Sequence, residues 1–136
     1  VGDEREFGYW GEVLTTAAQA RGIVGLVIDG GVRDVDALRR HDFPAFSVMI
    51  ALPGASKLRP GSVGTRARVG DVDVEMGDWV VGDADGVTVV PGAQLDAVLA
   101  AGRAREAKEA RMFDALRAGQ TTIELLGLDG SSIERP

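Results

Sequence analysis

The 136 residues are one domain by length, enough to bury about two-thirds of the surface that the unfolded chain exposes. The absence of cysteine excludes disulfides, thiolate metal centres and cysteine nucleophiles, and a net charge of −6 argues against a general nucleic-acid binder. No apolar run approaches the ~20 residues of a membrane span and the first residues do not read as a signal peptide, so a cytoplasmic setting is expected, with neither membrane nor nucleic acid as partner.

In chain order, residues Val1 to Gly8 show no period and read as a loop. Trp10, Val13, Leu14, Ala17 and Ala18 then fall on one stripe at helical spacing, predicting a helix from about Tyr9 that Gly22 ends. Ile23 to Ile28 is a nearly continuous apolar run, expected as a strand covered on both faces and closed by Asp29-Gly30-Gly31. Asp34 to Arg40 suits a short helix with Asp34 or Asp36 near its start. Pro44 breaks the chain, Ala45 to Leu52 reads as a second strand, and the Gly/Pro-rich stretch from Pro53 to Gly64 as a loop or flap.

Val72, Val74 and Met76 alternate with acidic residues, the pattern of a half-buried strand. Trp79 to Val81 and Val87 to Val90 flank Asp83-Ala84-Asp85-Gly86, a hairpin signal. Ala93 to about Ala118 predicts a long helix with Leu95, Val98 and Leu99 on one face, weakened at Gly102 by ~1 kcal/mol relative to alanine. A short apolar piece, Ile123 to Leu126, precedes a Gly/Ser tail over 129–136 that is expected to be mobile. The sum is one α/β or α+β domain over 1–136. The first strong element is a helix, so Ile23 to Ile28 has no earlier strand beside it. Either later strands supply both neighbours, or an N-terminal part is missing.

Two segments invite chemistry. In Asp29-Gly30-Gly31-Val32-Arg33-Asp34, the glycines let backbone approach a ligand, Arg33 offers a planar fork to a carboxylate, and Asp34 a hard oxygen to a cation. The plainer reading is a turn with a surface Arg-Asp pair and an N-cap aspartate. In Gly8-Tyr9-Trp10-Gly11-Glu12, free amides at a helix start suit an anion and Glu12 is placed to act as a base. The plainer reading there is a glutamate favoured by the helix dipole beside a buried Trp10. His41, the single histidine, reads as exposed rather than catalytic. Lys57 lies in a flexible loop, a poor place for a Schiff-base lysine. Asp83 to Gly86 lacks the glutamate of a calcium loop and reads as a turn.

Taken together, Gly8 to Glu12, Thr16-Ala17-Ala18, Gly22 to Asp34, Phe43-Pro44-Ala45-Phe46 and Gly77 to Pro91 resemble the RraA-like proteins. That family includes the 4-hydroxy-4-methyl-2-oxoglutarate/4-carboxy-4-hydroxy-2-oxoadipate aldolases and the regulator of ribonuclease activity A. The resemblance runs from about residue 8 to 119. It implies a compact layered α/β/β fold, here lacking its N-terminal strand-rich part. Homotrimers or homohexamers with sites at subunit interfaces are implied too, with Glu106 and Glu109 as candidates for a contribution across the interface.

Carried over by position, the resemblance makes Asp34 the ligand of a divalent cation, Mg or Mn, and Arg33 the substrate-binding arginine. Gly11, Glu12, Val13 and Leu14 match the substrate-binding helix start. Glu12 stands 21 positions before Arg33, where the aldolases carry an acidic residue that orients or activates water. The implied activity is metal-dependent cleavage of 4-hydroxy-2-oxo acids to pyruvate, with oxaloacetate decarboxylation as a side activity. The alternative is a non-catalytic protein-interaction regulator of a ribonuclease. That group lacks the aspartate after the arginine, and Asp34 therefore favours the enzyme.

Overall fold

A computed structural model describes residues 6–58 and 61–131. The chain forms two compact units, Val1–Gly92 and Ala93–Pro136. In the first, β1 (Gly8–Trp10), α1 (Glu12–Gln19), β2 (Leu26–Val32), α2 (Val35–Arg40) and β3 (Ala45–Ile50) are followed by β4 (Ala67–Val69), β5 (Val72–Val74), β6 (Trp79–Gly82) and β7 (Val87–Val90). The second holds the long helix α3 (Leu95–Arg117) and the short α4 (Thr122–Leu126).

The site-bearing sheet is parallel, in the order β1-β2-β3. Gly8 pairs with Gly31, and Leu26, Val27 and Ile28 pair with Ala45, Phe46 and Ser47. Two expectations change here. The chain before the first helix contains the strand β1, so β2 has neighbours on both edges, and Trp10 closes that strand instead of opening the helix. Strand β2 also runs on through Asp29, Gly30 and Gly31, which the sequence pattern gave to a turn. The reason is packing: a Cβ on Gly31 would stand 2.6 Å from the Phe7 carbonyl oxygen and 2.9 Å from the Ala51 Cβ. Glycine here lets three backbone segments close on one another.

Burial follows the same geometry. Strand β2 is buried at Gly30, Gly31 and Val32 and only half-buried before them, so the expected cover on both faces holds for its carboxyl end alone. The buried apolar side chains of this unit are Ala18, Val32, Ala37, Leu38, Phe43, Ala51 and Val90. Trp10 stacks on Phe43 with ring centroids 6.1 Å apart, and its indole N–H donates to the fully buried Thr15 hydroxyl at 2.8 Å. Those contacts seat α1 against β1 and the end of α2.

The hairpins form as two antiparallel pairs, β4-β5 and β6-β7. The second matches the pattern around Asp83 to Gly86, where the Asp83 amide donates to the Gly86 carbonyl at 2.9 Å. Strand β4 carries no alternation that the sequence reading found. Between Pro53 and Gly64 the described residues form no helix or strand beyond an isolated bridge from Gly54 to Gly8.

In the second unit, α4 is a helix closed by a capping box, with the Glu124 amide donating to the Thr121 hydroxyl at 3.2 Å and the Thr121 amide to Glu124 Oε2 at 2.8 Å. Most of the expected mobile tail, residues 132–136, lies outside the described residues. Among the described residues no helix is long and apolar enough to cross a membrane.

Candidate active site

The carboxyl end of β2 delivers Arg33 and Asp34 to the start of α1. The Arg33 amide donates to the Trp10 carbonyl at 2.8 Å, so the last residue of β1 fixes the first residue beyond β2. Asp34 is then held in the left-handed region at φ 56°, an uncommon conformation for a residue with a Cβ, and one tolerated best by Asp and Asn. It stands at the N-cap position of α2 without capping it. Its Oδ2 accepts the backbone amide of Glu12 at 3.1 Å instead, across 22 positions of sequence. The carboxylate therefore serves the N-terminus of a different helix, where an anion is favoured by the unpaired amides and the dipole.

Three glycines clear this space. A Cβ on Gly11 would collide with Asp34 Oδ2 and stand 3.0 Å from Arg33 Cγ. One on Gly8 would collide with the Ala51 carbonyl and stand 3.3 Å from the Arg33 stem, and one on Gly54 would reach 3.4 Å from Arg33 Nη1. The guanidinium thus lies along the glycine-lined edge of β1, with its Nε 3.9 Å from Asp34 Oδ2. At that distance and with both side chains 46% exposed, the pair is a loose electrostatic contact that leaves the guanidinium fork available to an anion.

Glu12, the first residue of α1, meets this pair through its backbone amide on Asp34, while its carboxylate, 49% exposed, stands 3.4 Å from His41 Nε2. Val13 and Leu14 follow on α1, with Val13 82% exposed and Leu14 half-exposed. The structure therefore brings Gly11, Glu12, Arg33 and Asp34 into one open cluster. It adds His41, which the sequence reading set aside as an exposed polar residue and which is in fact partly covered. No local signal marks it, since the contact spans 29 positions and depends on α1 and α2 meeting. Glu106 and Glu109 lie on α3 in the second unit, where Glu109 pairs with Arg105 at 2.7 Å.

Among the described residues no group of three or more His, Asp or Glu side chains converges as a ready cation cage. That donor set does not suit a zinc centre, which wants several nitrogen or sulfur ligands. It does fit a magnesium-like ion, which takes one or two carboxylates and keeps several waters. Asp34, half-exposed with one oxygen turned to the Glu12 amide, fits such a role.

The comparisons with known proteins follow the same residues. The RraA-like family, described as Aldolase/RraA, matches residues 1–89. The chain belongs to the RraA-like family. A Halalkalibacterium halodurans protein named "Putative 4-hydroxy-4-methyl-2-oxoglutarate aldolase" is 34% identical over 99 residues, covering 73% of this chain and 47% of that protein. The crystal structure of an uncharacterized Pseudomonas syringae pv. tomato protein superposes with a TM-score of 0.78 at 31% identity, covering 89% of this chain and 57% of that one. The RNA-processing inhibitor RraA from Thermus thermophilis superposes with a TM-score of 0.59 at 27% identity, covering 66% and 55%. This RraA-like chain spans about half the length of the relatives it matches. Its α/β fold is that of the RraA proteins.

Proposed function

We propose that this RraA-like chain carries the site of a cytoplasmic, divalent-metal-dependent class II pyruvate aldolase that cleaves 4-hydroxy-2-oxo acids and decarboxylates oxaloacetate as a side activity. The observation that carries the reading is the Asp34 carboxylate standing on the amide of Glu12, with the Arg33 guanidinium beside it. A putative-aldolase relative at 34% identity supports the same class.

Asp34 would hold the cation, Mg or Mn, which when bound supplies Lewis-acid polarisation of the 2-oxo group. Arg33 binds the substrate carboxylate through its fork and sets a fixed positive charge where the enolate develops. Glu12, directly or through a water, takes the proton of the C4 hydroxyl. The C3–C4 bond breaks, its electrons pass to the enolate of pyruvate, and the C4 fragment leaves as a carbonyl compound. Protonation at C3 then yields pyruvate. Gly11 keeps the Glu12 turn clear of Asp34, and Val13 and Leu14 offer apolar surface to the substrate beyond its pyruvate portion. Oxaloacetate gives the same enolate by losing CO2.

We place the working enzyme in a homotrimer or homohexamer, with further site residues from a neighbouring copy. The large exposed side chains, among them Val13, Val24, Ile50 and Leu52, are in keeping with that.

The test is pyruvate release from oxaloacetate and from a 4-hydroxy-2-oxo acid with Mg or Mn against EDTA. Metal-dependent release is expected. Its absence would shift the reading to a protein-interaction regulator, which the likeness to the Thermus RNA-processing inhibitor favours.

A further inference from the structure

We propose that His41 is a positioning residue for Glu12, its imidazole holding the carboxylate that receives the substrate's hydroxyl proton. The inference rests on the aldolase reading above and adds a residue to it.

The geometry comes from both ends of α1. Glu12 and Gln19 are seven positions apart, two turns of an α-helix, and so lie on one face about 10 Å apart. His41, the C-cap residue of α2, bridges that face. Its carbonyl oxygen accepts from Gln19 Nε2 at 2.9 Å, and its ring nitrogen Nε2 stands 3.4 Å from Glu12 Oε1. The backbone is fixed further by the His41 amide donating to the Ala37 carbonyl at 3.0 Å.

The His41 backbone is thereby held against α1, and the imidazole keeps only the two rotations of its own side chain. A glutamate side chain, by contrast, has three rotatable bonds, and at 49% exposure it would otherwise sample many rotamers. The Arg33 guanidinium lies beside Asp34, and the group that Glu12's oxygen faces is the His41 Nε2, a donor in the tautomer that carries its proton there. One oxygen held by Nε2–H leaves the other to receive the substrate's hydroxyl proton. Proton balance is simple, because the imidazole donates a hydrogen bond throughout and Glu12 alone gains the proton.

The test uses the purified protein with Mn and compares His41→Ala and His41→Gln. For the 4-hydroxy-2-oxo acid, H41A is expected to lower kcat about tenfold with KM changed less than twofold, and H41Q, whose amide N–H reaches similarly, to recover most of the loss. Oxaloacetate decarboxylation, which removes no hydroxyl proton, is expected to survive in both variants. A readout independent of turnover is the ring-proton resonance of the single histidine, expected to shift in Glu12→Gln and not in Glu75→Gln.

If wild-type protein releases no pyruvate with metal, the aldolase reading fails and this inference with it. If wild type is active and Asp34→Ala is dead, but H41A keeps its kcat, the inference alone is overturned. Equal losses on both substrates without rescue by H41Q, or an unmoved histidine resonance in E12Q, also overturn it.

Discussion

The Asp34 carboxylate caps the helix that begins at Glu12, not the helix that begins beside it. Asp34 stands directly before α2, yet its left-handed backbone turns the side chain away to the Glu12 amide at 3.1 Å. One side chain thereby ties the end of β2 to the start of α1. One hydrogen bond thus fixes the proposed cation ligand against the backbone of the residue proposed as base.

That double role predicts a separation between two substitutions. Asp34→Asn keeps an oxygen for the Glu12 amide but loses the charge. It is expected to fold with little change in stability and to lose metal-dependent pyruvate release by about 100-fold or more. Asp34→Ala loses the cap as well, and should cost about 1 kcal/mol in denaturant unfolding on top of the activity. Metal-dependent turnover that persists in D34N would remove Asp34 from the cation site.

Gly11 provides a test of the same spacing from the other side. Its backbone, φ −162° and ψ −164°, is extended and open to any residue, so only the space matters. A methyl there meets Asp34 Oδ2 and the Arg33 stem. Gly11→Ala should displace the carboxylate by up to an ångström and lower kcat/KM about 10- to 100-fold. Gly102→Ala on α3, with nothing within 4 Å, is the control and is expected to leave turnover unchanged while raising stability by up to ~1 kcal/mol.

The sequence pattern was most legible where structure is local. The β6-β7 hairpin and the long helix announce themselves by alternation and by helical spacing, and the adjacent Arg33 and Asp34 stand out after a buried strand. What stayed hidden depends on distant partners. Strand β1 is three residues long and is a strand only because Gly8 and Trp10 pair with β2, while Trp10 happens to fall in phase with the helix that follows. Asp29-Gly30-Gly31 looks like a turn by composition and is a strand by packing against Phe7 and Ala51. Ile123 to Leu126 reads in the sequence only as a short apolar piece, although Thr121 and Glu124 carry the capping-box spacing of a helix start. Glu12 and Asp34 are joined in the sequence only through the family resemblance, and His41 not at all, because no spacing rule ties the two ends of α2 to the start of α1.

Thr15 should be essential to the seat of α1. It is fully buried and accepts the Trp10 indole N–H at 2.8 Å. Thr15→Val keeps the shape and leaves that donor without its partner, at a cost of about 1–3 kcal/mol in unfolding. Thr15→Ser, which keeps the oxygen, should cost less than T15V. Equal losses would mean the hydroxyl matters only as volume.

Acid should loosen α4 at low pH. The Thr121 amide and hydroxyl hold the Glu124 carboxyl below its ordinary 4.5. A carboxylate with a depressed folded value contributes stability that is present above the unfolded value and is lost as pH falls through the folded one. The window therefore opens near 4.5 and extends downward. A carboxyl carbon titration of Glu124 should show its midpoint under 4.5, and Thr121→Ala, which removes the hydroxyl and keeps the amide, should move it only part of the way back.

Glu12→Gln separates the two reactions assigned to the site. The substitution leaves the backbone amide on Asp34 and the fold of α1 intact, and removes only the carboxylate that takes the hydroxyl proton. Cleavage of a 4-hydroxy-2-oxo acid requires that proton to leave, so its kcat should fall about 100- to 10,000-fold. Loss of CO2 from oxaloacetate has no hydroxyl proton to remove and depends on Arg33 and the cation at Asp34, so it should fall far less. Parallel assays of pyruvate release on the two substrates measure the ratio. A proportional fall in both would mean that Glu12 serves to bind the shared pyruvate portion or to hold Asp34, and the base would have to be sought on another residue.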